Sequence, residues 1–264
     1  MSAPSAPALT KRPGKTLTEP LTEHQARDEI CRVGKSLFDR GYVHATAGNI
    51  SVRLDASSGG GFLITPTDAC LGHLDPARLA RLDDQAVQTS GDIASKTIAI
   101  HARIYAAAAR FDTRTSCVIH THSAYCVAAS LATSVTAAST GQGPEAMNAG
   151  GITELLPALT PYFVMKVGHV PLIPYHRPGD PQAAVWVAQT IEAYGARGTP
   201  IRAVMLERLG PNVWHDSPAA AMATLEELEE TARLWVLCQN AVRRPDPLSE
   251  PQIQVLRDTF GARW

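Results

Sequence analysis

Apolar residues recur every three or four positions in several stretches of the chain, and this spacing predicts amphipathic helices. The first stretch, 22–42, places Ile30, Val33 and Leu37 on one side, and Thr22 stands where an N-cap is expected. Similar spacing, with a capping residue before it or a glycine after it, predicts further helices. They cover 95–111, 123–133, 181–198 and 217–242.

Shorter apolar runs between these helices predict β-strands, because glycine, proline or small polar residues bound them. The runs cover 49–54, 61–66, 116–122, 201–206 and 212–215, and two more flank Gly168 within 162–175. The stretch 134–161 has little periodicity and many small residues, which predicts a loop or lid. Strands and helices therefore interleave without a visible linker, the pattern of one α/β domain over 21–264.

Composition narrows the class of partner. The 264 residues carry 24 Lys and Arg against 25 Asp and Glu, so the formal net charge of −1 gives no basis for a nucleic-acid or membrane partner. Residues 1–20 lack the apolar core of a secretory signal and are rich in small polar residues and proline, so we expect a disordered tail. Five scattered cysteines without a CxxC pair favour reduced thiols in the cytoplasm.

The segment VIHTHS contains two histidines one residue apart in an apolar run. On a β-strand, His120 and His122 would point to the same face and could share one ion. Neutral imidazole binds zinc, manganese, iron or cobalt, and an open catalytic site needs three protein ligands. The alternative is that both histidines are partly buried and bonded to the backbone. The HxH pattern alone is compatible with both interpretations.

Two other segments have the residue types of an anion site. In HATAGNISVR, Thr46, Gly48 and Asn49 belong to a tight turn whose backbone N–H groups can face an anion. In GDIASKTIAIH, Ser95 and Lys96 stand where a helix begins, so a hydroxyl, an ammonium and free N–H groups could converge on a phosphate or carboxylate. Taken alone, the two segments are equally compatible with an ordinary turn and with a capped helix bearing a solvated lysine.

Together these segments resemble the class II aldolase/adducin family. The motifs AGNIS, LITPT, a helix with His101 and Tyr105, and VIHTHS carry the resemblance, which runs from about Leu21 to Val242. Within the family, the segments TPTDACLGHLDPARL, LTPYFVMKVGHVPLIPYHRPGD and LEELEETARL are most similar to members that decarboxylate 3-oxo-tetronate 4-phosphate.

The resemblance implies a three-layer α/β/α fold around a mainly antiparallel sheet, usually assembled as a homotetramer with active sites between subunits. It implies a divalent ion, typically zinc, bound by His120, His122 and a third histidine. It also implies a pocket for the phosphate or carboxylate of a small-molecule substrate. That pocket would consist of Thr46, Gly48, Asn49, Ser95 and Lys96.

Two positions depart from the family pattern. The catalytic glutamate four residues before the helix histidine is replaced by Thr97, and the third zinc histidine is replaced by Leu209. Glu207 lies two residues before Leu209 on the same predicted strand, so we expect it to face the same side and to supply the third metal ligand. Such a set would favour manganese or iron over zinc. The alternative is an ion pair from Glu207 to Arg208 or Arg202.

The sequence therefore predicts a metal-assisted carbon–carbon lyase, foremost a decarboxylase of a small 3-oxo acid or sugar-acid phosphate. Decarboxylation mainly needs an electron sink, which a metal or the Lys96 ammonium supplies, so the loss of a carboxylate at Thr97 harms it less than an aldol cleavage. Three alternatives stay open: an aldolase acting on another substrate, a catalytically altered member that only binds or assembles, and a metal-independent lyase. The last would use Lys96 with His120 or His122 as acid and base.

Overall fold

The computed structural model describes residues 20–133, 152–239, 241–242 and 244–264. The strands are β1 (Asn49–Arg53), β2 (Phe62–Ile64), β3 (Ala80–Leu82), β4 (Gln88–Ser90), β5 (Cys117–His120), β6 (Leu172–Ile173), β7 (Ala203–Leu206) and β8 (Gly210–His215). The α-helices are α1 (Glu23–Asp39), α2 (Ile98–Ala108), α3 (Ala124–Ala132), α4 (Pro161–Lys166), α5 (Pro181–Ala196), α6 (Pro218–Cys238) and α7 (Glu250–Phe260). In the described part of the chain, no helix has both the length and the apolar character needed to cross a membrane.

The eight strands form one sheet in the order β4-β3-β2-β1-β5-β8-β7-β6. Neighbouring strands run antiparallel except β6 and β7, which run parallel. The predicted mainly antiparallel sheet is therefore confirmed, with β5 and its HxH segment at the centre.

Helices cover both faces of the sheet. Strand β5 shows the division, because Cys117 and Ile119 belong to a core with α1, α3 and α6. Between them, Val118 belongs to a second core with α2 and α5. Successive side chains of a strand alternate between faces, so His120 continues the Val118 side and points toward α2. The architecture is the predicted α/β/α sandwich.

Local capping explains where several helices begin. The Thr22 hydroxyl accepts the backbone N–H of Gln25, and the Gln25 side chain returns to the backbone of Thr22, which is a capping box at the start of α1. The Ser217 hydroxyl accepts the N–H of Ala220 at the start of α6. Both capping residues were predicted from the sequence.

The strand predicted at the beginning of 162–175 is wrong. That run forms helix α4, because Pro161 stands at its first turn and the Thr160 hydroxyl accepts the N–H of Phe163 at 3.1 Å. Only Leu172 and Ile173 form a strand there. An apolar run without alternation fits a short helix as well as a strand, which is the source of the error.

Three elements were missed by the pattern analysis. Strands β3 and β4 are three residues long and β4 is exposed, so neither has a detectable period. Helix α7 does have a sequence signal, the capping box of Ser249 and Gln252. It buries Ile253 and Leu256 against α4 in a small separate core. The predicted tail, apart from Pro20, and most of the predicted lid at 134–161 lie outside the described residues.

A glycine sets how closely β8 approaches the chain after β5. Gly210 has a φ of 149°, and a Cβ atom there would lie 1.9 Å from the carbonyl oxygen of Thr121. The backbone of Thr121 also donates to the carbonyl of Pro211 at 3.3 Å. No other residue type leaves this space free, so the two backbones meet only with glycine at position 210.

We expect Gly210→Ala to lower the free energy of unfolding by roughly 2–5 kcal/mol, since it adds overpacking to backbone strain. Chemical denaturation measures this change. Gly198→Ala is the matched control, because Gly198 also has a positive φ, 81°, but has no atom within 4 Å of its added Cβ. It should cost only about 1–2 kcal/mol. Equal losses in the two variants would show that the approach of β8 is not limited by contact.

Candidate active site

A row of polar side chains crosses three central strands. Asn49 of β1 is paired with His120 of β5, which is paired with Asn212 of β8. Directly opposed residues of antiparallel strands share a face, so all three lie on the side covered by α2. Each is buried, in a sheet whose other inward positions are mostly apolar.

His120 is held as a neutral imidazole in one tautomer. Its Nδ1 lies 3.0 Å from the Pro211 carbonyl oxygen, which can only accept, so Nδ1 carries the proton and Nε2 keeps its lone pair. The pKa of His120 is lowered to about 3. Burial is the main cause and the nearby His122 ring adds to it, whereas the hydrogen bond to Pro211 opposes the shift. His120 is therefore a hydrogen-bond acceptor or ligand at neutral pH.

His122 does not lie on the strand as predicted. Strand β5 ends at His120, and residues 121–123 connect it to α3. The two rings are nevertheless adjacent, with centroids 5.0 Å apart and an edge-on arrangement. Burial lowers the pKa of His122, with a further contribution from the charge of His44. His44, the first residue of the segment HATAGNISVR, is therefore close to the pair.

Helix α2 contributes two side chains that meet on Ser51 of β1. The Ser51 hydroxyl lies 2.8 Å from His101 Nδ1 and 2.8 Å from the Tyr105 hydroxyl. His101 is completely buried, and burial lowers its pKa to about 3, helped by the charge of His120. The helix histidine of the family motif thus stands over the polar row as an uncharged group.

Several buried polar atoms around His120 have no hydrogen-bond partner among the described residues. They include Asn49 Oδ1, His101 Nε2 and Asn212 Nδ2. Leaving a buried polar group without a hydrogen bond lowers the stability of the fold by about 1–3 kcal/mol. Such groups are therefore rare in native proteins and indicate a place where a water or a ligand binds. Their position around His120 marks this end of the sheet as a site for a polar ligand.

The predicted anion-binding residues converge on the same end of the sheet. A Cβ on Gly48, where φ is 87°, would lie 2.9 Å from the carbonyl oxygen of His120, so glycine lets the turn reach β5. Thr65 joins the second segment, because its hydroxyl accepts the N–H of Ile50 at 3.2 Å and its carbonyl accepts the N–H of Ser95 at 3.2 Å. Lys96 follows Ser95 and is exposed.

The two substituted family positions have apolar or local contacts. Leu209 packs against the core of the α2 and α5 face. The Thr97 hydroxyl lies 2.8 Å from the Ser95 hydroxyl at the start of α2. Thr46, the first residue of the predicted pocket, is exposed on the turn before β1.

The premise for Glu207 as a third metal ligand is wrong. Strand β7 ends at Leu206, and the next three residues form the turn to β8, with Arg208 in a left-handed conformation at φ 65°. The Glu207 carboxylate accepts the N–H of Tyr175 at 3.0 Å and lies 3.5 Å from Arg208. Its role as a ligand stays a prediction.

The donor set of the described residues does not fit the three-ligand centre that the resemblance implies. Among those residues no group of three His, Cys, Asp or Glu side chains is arranged to hold a metal ion. His120 and His122 provide two neutral imidazoles, whereas an open catalytic site needs three protein ligands. The apolar packing of Leu209 removes the third.

Sequence reasoning missed two residues of this site. Glu229 is buried, and its carboxylate accepts the N–H groups of Tyr125 at 2.8 Å and Cys126 at 2.9 Å. It thereby fixes the start of α3 just after His122. Asn212 was hidden because strand pairing is not visible in the sequence. A polar residue in the run NVWH was the only signal.

Two polar residues of the segment LTPYFVMKVGHVPLIPYHRPGD stay outside this cluster in the described contacts. His176 Nδ1 contacts the carbonyl of Pro174 at 2.7 Å, in the connection between β6 and α5. Tyr162 is 61% exposed.

Comparison with known proteins gives the same family as the motifs. Residues 28–236 match the model of the class II aldolase and adducin N-terminal domain. The 3-oxo-tetronate 4-phosphate decarboxylase of Cupriavidus necator is 46% identical over 250 residues, covering 92% of this chain and 99% of that protein. The enzyme of the same name from Escherichia coli strain K12 is 37% identical, over 84% of this chain and 91% of its own.

Solved structures agree with the fold. YgbL from Escherichia coli superposes with a TM-score of 0.72 at 34% identity, covering 89% of this chain and 99% of that one. An L-fuculose 1-phosphate aldolase superposes with a TM-score of 0.68 over 89% of this chain and 96% of its own. At 20% identity, the second similarity concerns the fold alone.

Because His101 on α2 is buried and neutral, the free energy of unfolding depends on pH. The pKa of His101 is about 3 in the folded chain and near 6.5 when unfolded, so between these values only the unfolded chain binds the proton. The His101 contribution is complete above pH 6.5 and falls by about 1.4 kcal/mol per pH unit on acidification toward pH 3. We expect His101→Gln to remove this slope in denaturation measured between pH 4 and 6.

The control for this comparison is His24→Gln, on the exposed side of α1. It should leave the slope of the unfolding free energy against pH as in the parent chain. If His101→Gln and the parent chain have parallel slopes, His101 is not held neutral by burial.

Proposed function

Because the chain belongs to the class II aldolase and adducin family, we propose that it is a carbon–carbon lyase that decarboxylates a small phosphorylated 3-oxo acid. The polar atoms of Asn49, His101 and Asn212 that have no partner among the described residues carry this proposal, since they are free to form hydrogen bonds with a polar ligand beside the neutral His120. The 46% identity to a decarboxylase over nearly its whole length supports the reaction type.

The substrate class follows from the relatives, which act on 3-oxo-tetronate 4-phosphate. In such a substrate the bond between C1 and C2 breaks, and the carboxylate leaves as carbon dioxide. The electron pair of that bond becomes part of an enolate on C2, C3 and the 3-oxo oxygen. A proton then adds to C2 and leaves a three-carbon ketose phosphate.

We assign the phosphate or carboxylate of the substrate to the turn before β1 and the start of α2. Their backbone N–H groups and polar side chains are suited to an oxyanion. The residues are Thr46, Gly48, Asn49, Ser95 and Lys96. The contact of Thr65 with both segments supports this assignment, because it ties them to each other.

Lys96 is our candidate for the electrophilic group. Its ammonium stands at the N-terminus of α2, where the helix dipole adds positive potential, and it can stabilise the developing enolate oxygen. Thr97 occupies the place of the family glutamate but cannot act as a base near neutral pH. We give it a positioning role through the Ser95 hydroxyl. Water then delivers the proton to C2.

The family is typically dependent on a divalent metal, and zinc, manganese or iron was predicted from the resemblance. In this chain we assign His120 and His122 as the imidazole pair that such an ion would contact, with Glu207 as a ligand only if it leaves Tyr175. Two imidazoles are one ligand fewer than the three that an open catalytic metal site needs. No step of the proposed reaction therefore depends on the ion.

We further propose that the enzyme works as a homotetramer in the cytoplasm. The homotetramer follows from the family resemblance. The five cysteines are free thiols, in keeping with a reducing compartment.

A second candidate function is binding or assembly without turnover. The observation in its favour is the packing of Leu209 against the apolar core. This side chain stands at the position of a metal ligand but cannot bind a cation. The two functions separate in one assay, since a non-catalytic member would bind the substrate and release no carbon dioxide.

We expect the purified chain to release carbon dioxide from 3-oxo-tetronate 4-phosphate, measured together with the ketose phosphate formed. Lys96→Met should lower kcat/KM by roughly 10²–10³, the usual effect of removing an electrostatic group at a developing oxyanion. Lys35→Met, on the exposed side of α1 where Lys35 pairs with Asp39, is the control and should not change it. Binding without release of carbon dioxide would favour the non-catalytic function.

Metal content tests the donor argument separately. After dialysis we expect less than one zinc ion per chain, and we expect Leu209→His to raise the zinc affinity by at least ~10-fold because it adds a third imidazole. Leu234→His, at a partly exposed position of α6, is the control. One tightly held ion in the parent chain that is lost in Glu207→Gln would contradict the argument and establish Glu207 as the ligand.

A further inference from the structure

A second polar cleft lies at the end of the sheet opposite the candidate active site. It opens to solvent between the C-terminal ends of α2 and α5, and the space between its walls is narrow. We call it the distal arginine cleft and define it by its polar lining residues. They are Asp112, Thr115, Arg202, His215 and Arg263.

The distal arginine cleft is separate from the pocket around His120. On β8 it contains His215, three residues beyond Asn212 and therefore about 10 Å along the strand. On the other side it begins at Ala108, at the end of α2. Lys96 precedes the start of that helix, about 18 Å away along its axis. No residue of one site lines the other.

The positive charges of two guanidinium groups in the cleft are only partly neutralised by nearby carboxylates. Within the described residues, neither Arg202 nor Arg263 donates a side-chain hydrogen bond or forms an ion pair. Burial lowers the pKa of Arg202, and the charge of Arg263 lowers it further, an effect that two aspartates only partly offset. The charges of Arg202 and Arg263 therefore repel each other where solvent is partly excluded.

The acidic groups nearby are engaged with other cations. Asp112 lies 3.4 Å from Arg114, and Asp216 lies 3.7 Å from Arg114 and 2.8 Å from His215. Among the side chains that line or border the cleft, three arginines face two aspartates, which is an excess of one positive charge without counting His215. Such an excess is best neutralised by an anion from solution.

We propose that the distal arginine cleft binds a small tetrahedral oxyanion, namely phosphate or the phosphoryl end of a small metabolite, between Arg202 and Arg263. Guanidinium groups form paired, charge-assisted hydrogen bonds with such oxyanions. The apolar walls from Trp214 and Ile191 exclude part of the competing water and strengthen these bonds. The limited space of the cleft favours the oxyanion itself over a large ligand.

Phosphate titrations of the full chain test the proposal, with binding followed by calorimetry at constant ionic strength. The parent for the test is Lys96→Met, because that change weakens phosphate binding at the active site. We expect it to bind inorganic phosphate, and we expect Arg202→Met or Arg263→Met in the same background to weaken binding by about tenfold or more. Arg110→Met, whose arginine pairs with Glu192 on the surface, is the control and should bind like the parent.

Unchanged phosphate affinity in both arginine variants, or no binding by the Lys96→Met parent, would overturn the proposal. Arg263 lies outside the helices and strands, so its variant decides the question if Arg202→Met fails to fold. Glycerol 3-phosphate is titrated beside inorganic phosphate to separate the two sources. Tighter binding of the ester identifies a metabolite, and tighter binding of the free ion identifies phosphate itself.

Discussion

The close approach of three backbones at the end of β5 is the constraint on which the candidate site depends. Gly48 brings the turn before β1 against the carbonyl of His120, and Gly210 brings the start of β8 against the carbonyl of Thr121. That approach places the Pro211 carbonyl 3.0 Å from His120 Nδ1, which fixes both the orientation and the tautomer of the ring. A side chain at either glycine would separate the strands and release the imidazole.

Much of the fold followed from pattern alone, and the failures have physical causes. The capping of α1 at Thr22 and of α6 at Ser217 was visible because capping is local. The proximity of His120 and His122 was predicted for the wrong reason, since the strand ends between them. Asn212 could not be found, because its place beside His120 depends on strand order, which no local pattern encodes.

Leu209 and Thr97, the two positions that differ from the family pattern, both have satisfied contacts. Leu209 joins the apolar core and Thr97 bonds to Ser95, so neither leaves a buried polar atom without a partner. The unpartnered atoms belong instead to Asn49, His101 and Asn212, around the ring of His120. The positions of the third metal ligand and of the acid/base thus have apolar or local contacts, whereas the buried polar atoms without a partner lie around His120.

This division bears on which chemistry the site can still perform. Aldol cleavage needs a base placed on a hydroxyl, and a threonine in the place of the glutamate cannot supply one. Loss of carbon dioxide from a 3-oxo acid needs no such base, because the bond that breaks delivers its electrons directly to the oxo group. What it needs is positive potential near that oxygen and a dry, uncharged surrounding that does not compete with it. In the proposed mechanism Lys96 at the start of α2 supplies the first, and His101 and His120, which burial keeps neutral, supply the second.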